Sequence, residues 1–145
     1  MSKPTTRILW VEDNISDILL IKEAFRQAEL RLHLNVVEDG VEAVNFLFRR
    51  GRYARSRRPD LIILDLNLPK KNGLEVIKDI KTDSLLQEIP LVVLTSSSKD
   101  RDVLDGLNPE RCLYLVKPSS FDALVDMAKQ IQSFLASVTG QKGQG

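Results

Sequence analysis

Cysteine is almost missing from this chain. Cys112 is the only one, so no intrachain disulfide can form. A disulfide-stapled secreted scaffold is thereby excluded, and a lone thiol fits a reducing compartment. Long apolar runs are missing too. No stretch approaches the length needed to span a bilayer, and Met1 to Arg7 lacks the apolar core of a signal peptide. The chain reads as cytoplasmic, with no membrane partner. Excess charge of one sign is also lacking. The net charge is +1, which gives no global attraction to nucleic acid or an anionic membrane. There is no internal repeat, and only Thr139 to Gly145 is of low complexity.

What remains is an ordinary globular composition, 43% hydrophobic and 28% charged over 145 residues, enough for one domain with one substantial core. Its most informative stretch is Leu61-Ile62-Ile63-Leu64-Asp65-Leu66-Asn67-Leu68-Pro69. Four apolar residues in a row suggest a strand covered on both faces, as in a parallel sheet. Ligands of such sheets bind beyond the carboxyl ends of the strands, where Asp65 falls. An Asp there is either a loop cap or a working carboxylate, because an unpaired buried charge is costly.

Four further strands follow the same logic. Ile8 to Val11 ends in Glu12-Asp13. Leu32 to Val37 precedes the turn Glu38-Asp39-Gly40. Leu91 to Leu94 ends at Thr95, and Cys112 to Val116 at Lys117. Helices are expected between them. The first runs from about Ile15 to Ala28, with Asn14 or Ser16 as cap, Asp17 in its first turn and Ile18, Ile21, Phe25 and Ala28 as its core stripe. Ile15, Leu19 and Leu20 lie off that stripe. They are either part of a wide buried face or a docking surface beside Asp13. The second runs from Val41 to Arg49 with Val41, Val44, Leu47 and Phe48 inward. The third covers Gly73 to Lys81, with Leu74, Val76, Ile77 and Ile80. A short fourth lies near Arg101 to Leu107, stopped by Asn108-Pro109. The last begins after Ser119 or Ser120. It steps through Phe121, Leu124, Ala128, Ile131, Leu135 and Val138. Five strands alternating with five helices give a doubly wound α/β fold with a parallel sheet. Residues 1–6 read as an N-terminal extension, 7–138 as the domain, and 139–145 as a disordered tail.

If the strand order is flavodoxin-like, 2-1-3-4-5, then Glu12, Asp13 and Asp65 share one cleft. Three carboxylates that close repel unless a cation intervenes. Hard oxygens on short side chains suit Mg2+, which keeps several waters and works with phosphates. Lys117 adds an ammonium and Thr95 a hydroxyl. That set can stabilise the oxygens of a phosphoryl group in flight, and Asp65 can be its nucleophile. Singly, Thr95 reads as a strand end, Lys117 as a surface lysine and Glu12-Asp13 as a turn. Together they fall on one edge of the sheet.

The pattern resembles the receiver domain of two-component response regulators. The matching pieces are Ile8 to Asp13, Leu64 to Pro69 with Gly73, Val93-Leu94-Thr95-Ser96, and Tyr114-Leu115-Val116-Lys117-Pro118. The resemblance covers about Arg7 to Val138 and implies a flavodoxin-like doubly wound five-stranded parallel sheet, strand order 2-1-3-4-5, with five helices. It implies that Asp65 is the phosphoacceptor and that Glu12, Asp13, Asp65 and the Asn67 backbone carbonyl hold Mg2+. Thr95 is then the switch hydroxyl, Tyr114 the switch aromatic and Lys117 the phosphate partner, with Lys117-Pro118 a cis peptide. Ser96 is the small residue that gives access to Asp65, and Asn67 and Ser97 flank the water path. The implied partner is a sensor histidine kinase or a phosphotransfer protein. The signal would be a conformational change on the face made by the short fourth helix, strand five and the last helix, where Met127 and Phe134 are either a homodimer or partner surface or ordinary helix packing. The long Arg-rich connection and Asp65 to Gly73 are similar to single-domain regulators of the cyanobacterial phytochrome-partner type. Two departures stand out: Asn108-Pro109-Glu110-Arg111 replaces the usual Gly-Ala pair, and Trp10 replaces an aliphatic.

Such a protein is no enzyme beyond accepting and losing its own phosphoryl group. The competing readings are a phosphorylation-independent binding module on the same fold, and a Mg2+-dependent phosphatase with an aspartyl nucleophile. The phosphatase requires an acid where Asn67 stands. His33 lies in the strand-two region with no kinase elements around it and reads as structural. Arg49 to Arg58 holds six arginines in ten residues, and removing them from the net +1 leaves −5. That segment is either a solvated loop or a site for an anionic partner. It is not a nucleic-acid footprint, since no helix-turn-helix or aromatic platform accompanies it.

Overall fold

The computed structural model describes residues 5–13, 18–68, 70–96 and 105–143. Five parallel strands, β1 (Thr6–Val11), β2 (Leu32–Val37), β3 (Leu61–Asp65), β4 (Leu91–Thr95) and β5 (Cys112–Val116), form one sheet in the order β2-β1-β3-β4-β5. Helices α1 (Ile18–Gln27) and α4 (Phe121–Gly143) pack on one face, α2 (Gly40–Leu47) and α3 (Gly73–Lys81) on the other.

Strand side chains alternate between faces, and the core divides accordingly. Ile8, Trp10, Ile63, Val92 and Leu94 meet α1 and α4. Leu9, Val11, Ile62, Leu64 and Val93 meet α2 and α3. β1 is therefore apolar from Ile8 on, β3 and β4 are apolar up to their last residues, and β3 is buried along its whole length.

Several expectations need correction. Five helices are expected, and the described residues hold four α-helices. The helix near Arg101–Leu107 falls partly on residues 101–104, outside the described residues. Over Asp105–Leu107 the chain is a turn, with Gly106 at φ +92°. Asn108 then caps a 3-10 turn at Pro109–Arg111, its Oδ1 accepting from the Glu110 N–H at 3.0 Å. Asn14, Ile15, Ser16, Asp17 and Ser97 also lie outside the described residues.

Helix α2 starts at Gly40 and stops at Leu47, because Arg49 turns left-handed at φ +57°. Its register turns Val41 outward and Phe46 inward. Leu74 on α3 is exposed as well. Leu19 and Leu20, offered either as buried or as docking residues, are 81% and 47% exposed. On α4 the Ser120 Oγ accepts from the Ala123 N–H at 3.0 Å, so Ser120 is the cap. Met127, expected on an exposed face, is only 4% exposed and belongs to the core with α1, while Phe134 is partly buried against the same cluster. The helix continues to Gly143, past Val138 where the sequence puts the end of the domain. No helix among the described residues is long and apolar enough to cross a membrane.

Candidate functional site

The parallel register brings the carboxyl ends of β1, β3, β4 and β5 to one edge. Val11 pairs with Leu64, Asp65 with Leu94, and Thr95 with Val116. The ladder extends one step beyond two strands: the Glu12 N–H donates to Val37 O at 3.0 Å, and the Lys117 N–H to Thr95 O at 2.8 Å. Glu12 and Lys117 thus leave the sheet on fixed backbone.

Carboxylate oxygens of Glu12, Asp13 and Asp65 all lie within 4.8 Å of one another, and among the described residues they are the one group of acids placed to share a metal ion. Asp65 is fully buried, Glu12 half-buried and Asp13 exposed. The Asn67 N–H donates to Asp65 Oδ1 at 2.9 Å, an Asx turn that orients the carboxylate. Asp65 Oδ2 forms an ion pair with Lys117 Nζ but no aligned hydrogen bond. Lys117 Nζ lies 4.0 Å from Glu12 Oε2. Burial presses this ammonium toward neutrality. The close contact and charge of Asp65, with the charges of Glu12 and Asp13, outweigh it and hold the Lys117 pKa above its ordinary value.

Three carboxylates and one ammonium leave an excess of two negative charges. A buried carboxylate oxygen without an aligned donor, beside two more hard oxygens, fits a divalent oxygen-loving cation. The donor set fits Mg2+ or Mn2+ and offers no soft ligand.

Thr95 is buried at the end of β4, and Tyr114 lies half-buried on β5 against the α2–α3 side of the core. Ser96 is exposed beside Thr95, and Asn67 is exposed beside the acids. The expected Lys117–Pro118 cis peptide is not present: the bond is trans. Trans is the lower-energy isomer of X–Pro bonds, and in it Lys117 Nζ already reaches Asp65.

A cavity of about 740 Å3 opens beside the acids, lined among others by Trp10, Glu12, Asp13, Leu20, Asn67 and Lys117. Its apolar wall joins the exposed Leu19 and Leu20 of α1.

Two supports were hidden in the sequence. A Cβ on Gly73 would stand 2.7 Å from Asp65 O and from Leu66 Cα, so only glycine lets α3 start against the end of β3. Asp39, read as part of a turn, is buried. It caps α2 by accepting from the Glu42 N–H at 2.8 Å, and faces Lys70 Nζ at 3.5 Å. The pattern Asp39-x-x-Glu42 was the legible signal for that cap.

Residues 8–129 match the response regulator receiver domain family. The chain is 41% identical to the response regulator Rcp1 of Synechocystis over 139 residues, covering 95% of both proteins. It superposes on the phosphorylated cyanobacterial phytochrome response regulator RcpA with a TM-score of 0.77 at 40% identity, covering 92% of this chain and 96% of that one. Against the Mn2+-bound form of Rcp1 the TM-score is 0.74 at 41% identity, over 89% and 93% of the two chains.

Proposed function

Because the chain belongs to the response-regulator receiver family, we propose that it is a stand-alone receiver. In this reading Asp65 takes a phosphoryl group from a phosphohistidine on a partner kinase or phosphotransfer protein. The observation that carries this reading is the meeting of Asp65 with Lys117, Glu12 and Asp13 at one edge of the sheet.

An Asp65 carboxylate oxygen attacks phosphorus in line with the leaving imidazole. The new bond is oxygen–phosphorus; the phosphorus–nitrogen bond breaks, and its electron pair returns to the imidazole nitrogen. The Asn67 N–H holds Oδ1, which leaves Oδ2 to react. Lys117 must then move its ammonium from Oδ2 to the incoming phosphoryl oxygens, where negative charge is spread in the transition state. Glu12 and Asp13 with Asp65 would hold Mg2+, with the Asn67 carbonyl as a further ligand; the Mn2+ form of Rcp1 supports a divalent ion. The ion supplies charge neutralisation at the transferred group. Thr95 then hydrogen-bonds the phosphoryl group and Tyr114 follows it inward, a local charge event that biases a two-state surface.

The kinase docks on Leu20, which lines the cavity beside the acids, and on its exposed neighbour Leu19. A phytochrome-like kinase is the favoured class, since RcpA is a cyanobacterial phytochrome response regulator. Output passes to a protein partner, a phosphorelay or a second copy through the face of β5 and α4. Met127 takes no part in it, and the exposed Val116 does. The protein works in the cytoplasm, binds no nucleic acid and catalyses nothing beyond its own phosphorylation and dephosphorylation.

Acetyl phosphate with Mg2+, followed by intact-mass measurement, tests this reading. A single phosphoryl adduct is expected in the wild type, none after chelation and none in Asp65→Ala. Absence of the adduct in folded protein, both with acetyl phosphate and with a panel of phytochrome-type kinases, would move the protein to the class of phosphorylation-independent binding modules.

A further inference from the structure

The opposite edge of the sheet carries a second concave site. A groove of about 690 Å3 lies at the amino-terminal ends of the strands, roughly 15 Å from the acids by the length of β3. One wall is the second half of α4, with Leu135, Ala136 and Val138, and another is the exposed Leu85. The family match stops at residue 129, so the α4 wall is carried by helix beyond it.

Arg58 sits in this groove with its Nε sealed from solvent and without a hydrogen-bond acceptor. An unpaired buried N–H on a cation is costly, and guanidinium forks select carboxylates. Arg111 stands across from it, one Nη donating to Glu88 O at 2.7 Å. Two acids share the rim. Asp60 already accepts from the Arg7 N–H at 2.8 Å, and Glu88 is exposed. Arg58 also ends the Arg-rich segment. Within that segment Arg52 is tied to Glu42 at 3.2 Å and Arg50 stacks on Phe48 at 5.0 Å. Arg55 and Arg57 are exposed and face no acid among the described residues. The segment therefore adds positive charge beside an apolar slot that holds a cation short of a partner.

We propose that this groove docks an acidic peptide segment of a partner protein, an apolar side chain filling the slot and a carboxylate pairing with the half-buried guanidinium of Arg58. It is a second site, independent of Asp65 and on the far edge of the same sheet. Net charge near zero and the apolar slot favour a peptide over nucleic acid.

The test uses the full chain and three fluorescein-labelled, end-blocked hexapeptides, EELLEE, EESSEE and KKLLKK, read by anisotropy at low salt. EELLEE should bind about tenfold or more tighter than either control, because charge and apolar anchor are both needed. Arg58→Gln should remove most of that preference. Arg58→Lys should restore part of it. Ala136→Asp, at an exposed helix position that tolerates substitution, should abolish binding by repulsion while the thermal transition stays put. Amide shifts on adding EELLEE should move Leu85 and Ala136 and leave Glu12 and Asp13 in place. EELLEE affinity should be unchanged in Asp65→Ala, which keeps this result separate from the phosphorylation test. Equal binding of EELLEE and EESSEE would reduce the site to a charged surface. Unchanged EELLEE affinity in Arg58→Gln and Ala136→Asp, or tighter binding of a duplex DNA than of EELLEE, would overturn the proposal.

Discussion

Gly40 and Lys71 touch through their backbones: a Cβ on Gly40 would stand 1.8 Å from the Lys71 carbonyl oxygen and 2.6 Å from its carbon. The start of α2 is thus wedged against the loop that follows Asp65. Asp39 strengthens the contact by capping α2 and facing Lys70, whose backbone is left-handed at φ +63°. Gly40→Ala should therefore cost about 3 kcal/mol or more, a clash that backbone alone must relieve. Asp39→Ala should cost about 1–2 kcal/mol through the lost cap. Urea titrations of both variants check this, and a Gly40→Ala midpoint equal to wild type would remove the wedge.

Arg49 ends α2 in a conformation that suits glycine, at φ +57°. Its side chain is exposed. Arg49→Gly should stabilise the protein by about 0.5–1 kcal/mol, since the strain goes and no packing is lost. A lower thermal midpoint in this variant would show that the arginine side chain has a partner worth more than the strain.

Trp10 is 4% exposed, meets Phe25 edge-on at 6.1 Å, and has its Nε1–H buried without an acceptor. Phenylalanine keeps the ring and removes the orphan donor. Trp10→Phe should change stability by less than about 1.5 kcal/mol, whereas Trp10→Ala should cost about 3–5 kcal/mol. Chemical denaturation followed by far-UV circular dichroism separates the two, since Trp10 is also the sole tryptophan fluorophore.

Burial raises the pKa of the Cys112 thiol above its ordinary value, and the charge of Lys81 only partly opposes this. The folded state holds the proton more tightly than the unfolded chain. That contribution to stability is complete below the unfolded value and fades as pH rises through the folded one. Alkylation of Cys112 should lag a free cysteine at neutral pH and gain on it as the solution is made more alkaline. Lys81→Met should slow it further. A rate matching the free thiol at every pH would contradict the raised value.

Lys117 is the counter-charge that the buried Asp65 meets at close range. Lys117→Met should destabilise the cation-free protein by about 3–5 kcal/mol, because the carboxylate is left uncompensated. Saturating Mg2+ should recover much of this, as a ligand at 100 times its dissociation constant adds about 2.7 kcal/mol. Thermal melts with Mg2+ and with chelator give the comparison. A variant whose melt ignores Mg2+, in protein whose wild type responds, would place the cation elsewhere.

Much of this was legible in the chain. Strands β2 and β5 and helix α3 lie where periodicity puts them, because each is bracketed by turn or capping residues. The five residues at the strand ends could be read because a parallel sheet gathers them by topology alone. Side-chain direction on amphipathic helices was less legible. Met127 turns inward because α4 must cover both the sheet and α1, while Val41 turns outward because the buried stripe of α2 runs through Gly40, Ala43, Val44 and Leu47. Backbone contacts such as Gly40 on Lys71, and the groove around Arg58, join residues remote in sequence and leave no local trace.

The acids at positions 12, 13 and 65 come from strands that meet only in the folded sheet. Glu12 and Asp13 are neighbours in any state of the chain, but Asp65 meets them only in the folded sheet, so that added repulsion is a load carried by the native state alone. A divalent cation held by the three acids would offset that repulsion and tighten this end of the sheet. If the proposed cation site holds, divalent ions set how firmly the protein keeps its shape before any phosphoryl group reaches it, and their depletion would leave a softer, more readily degraded population.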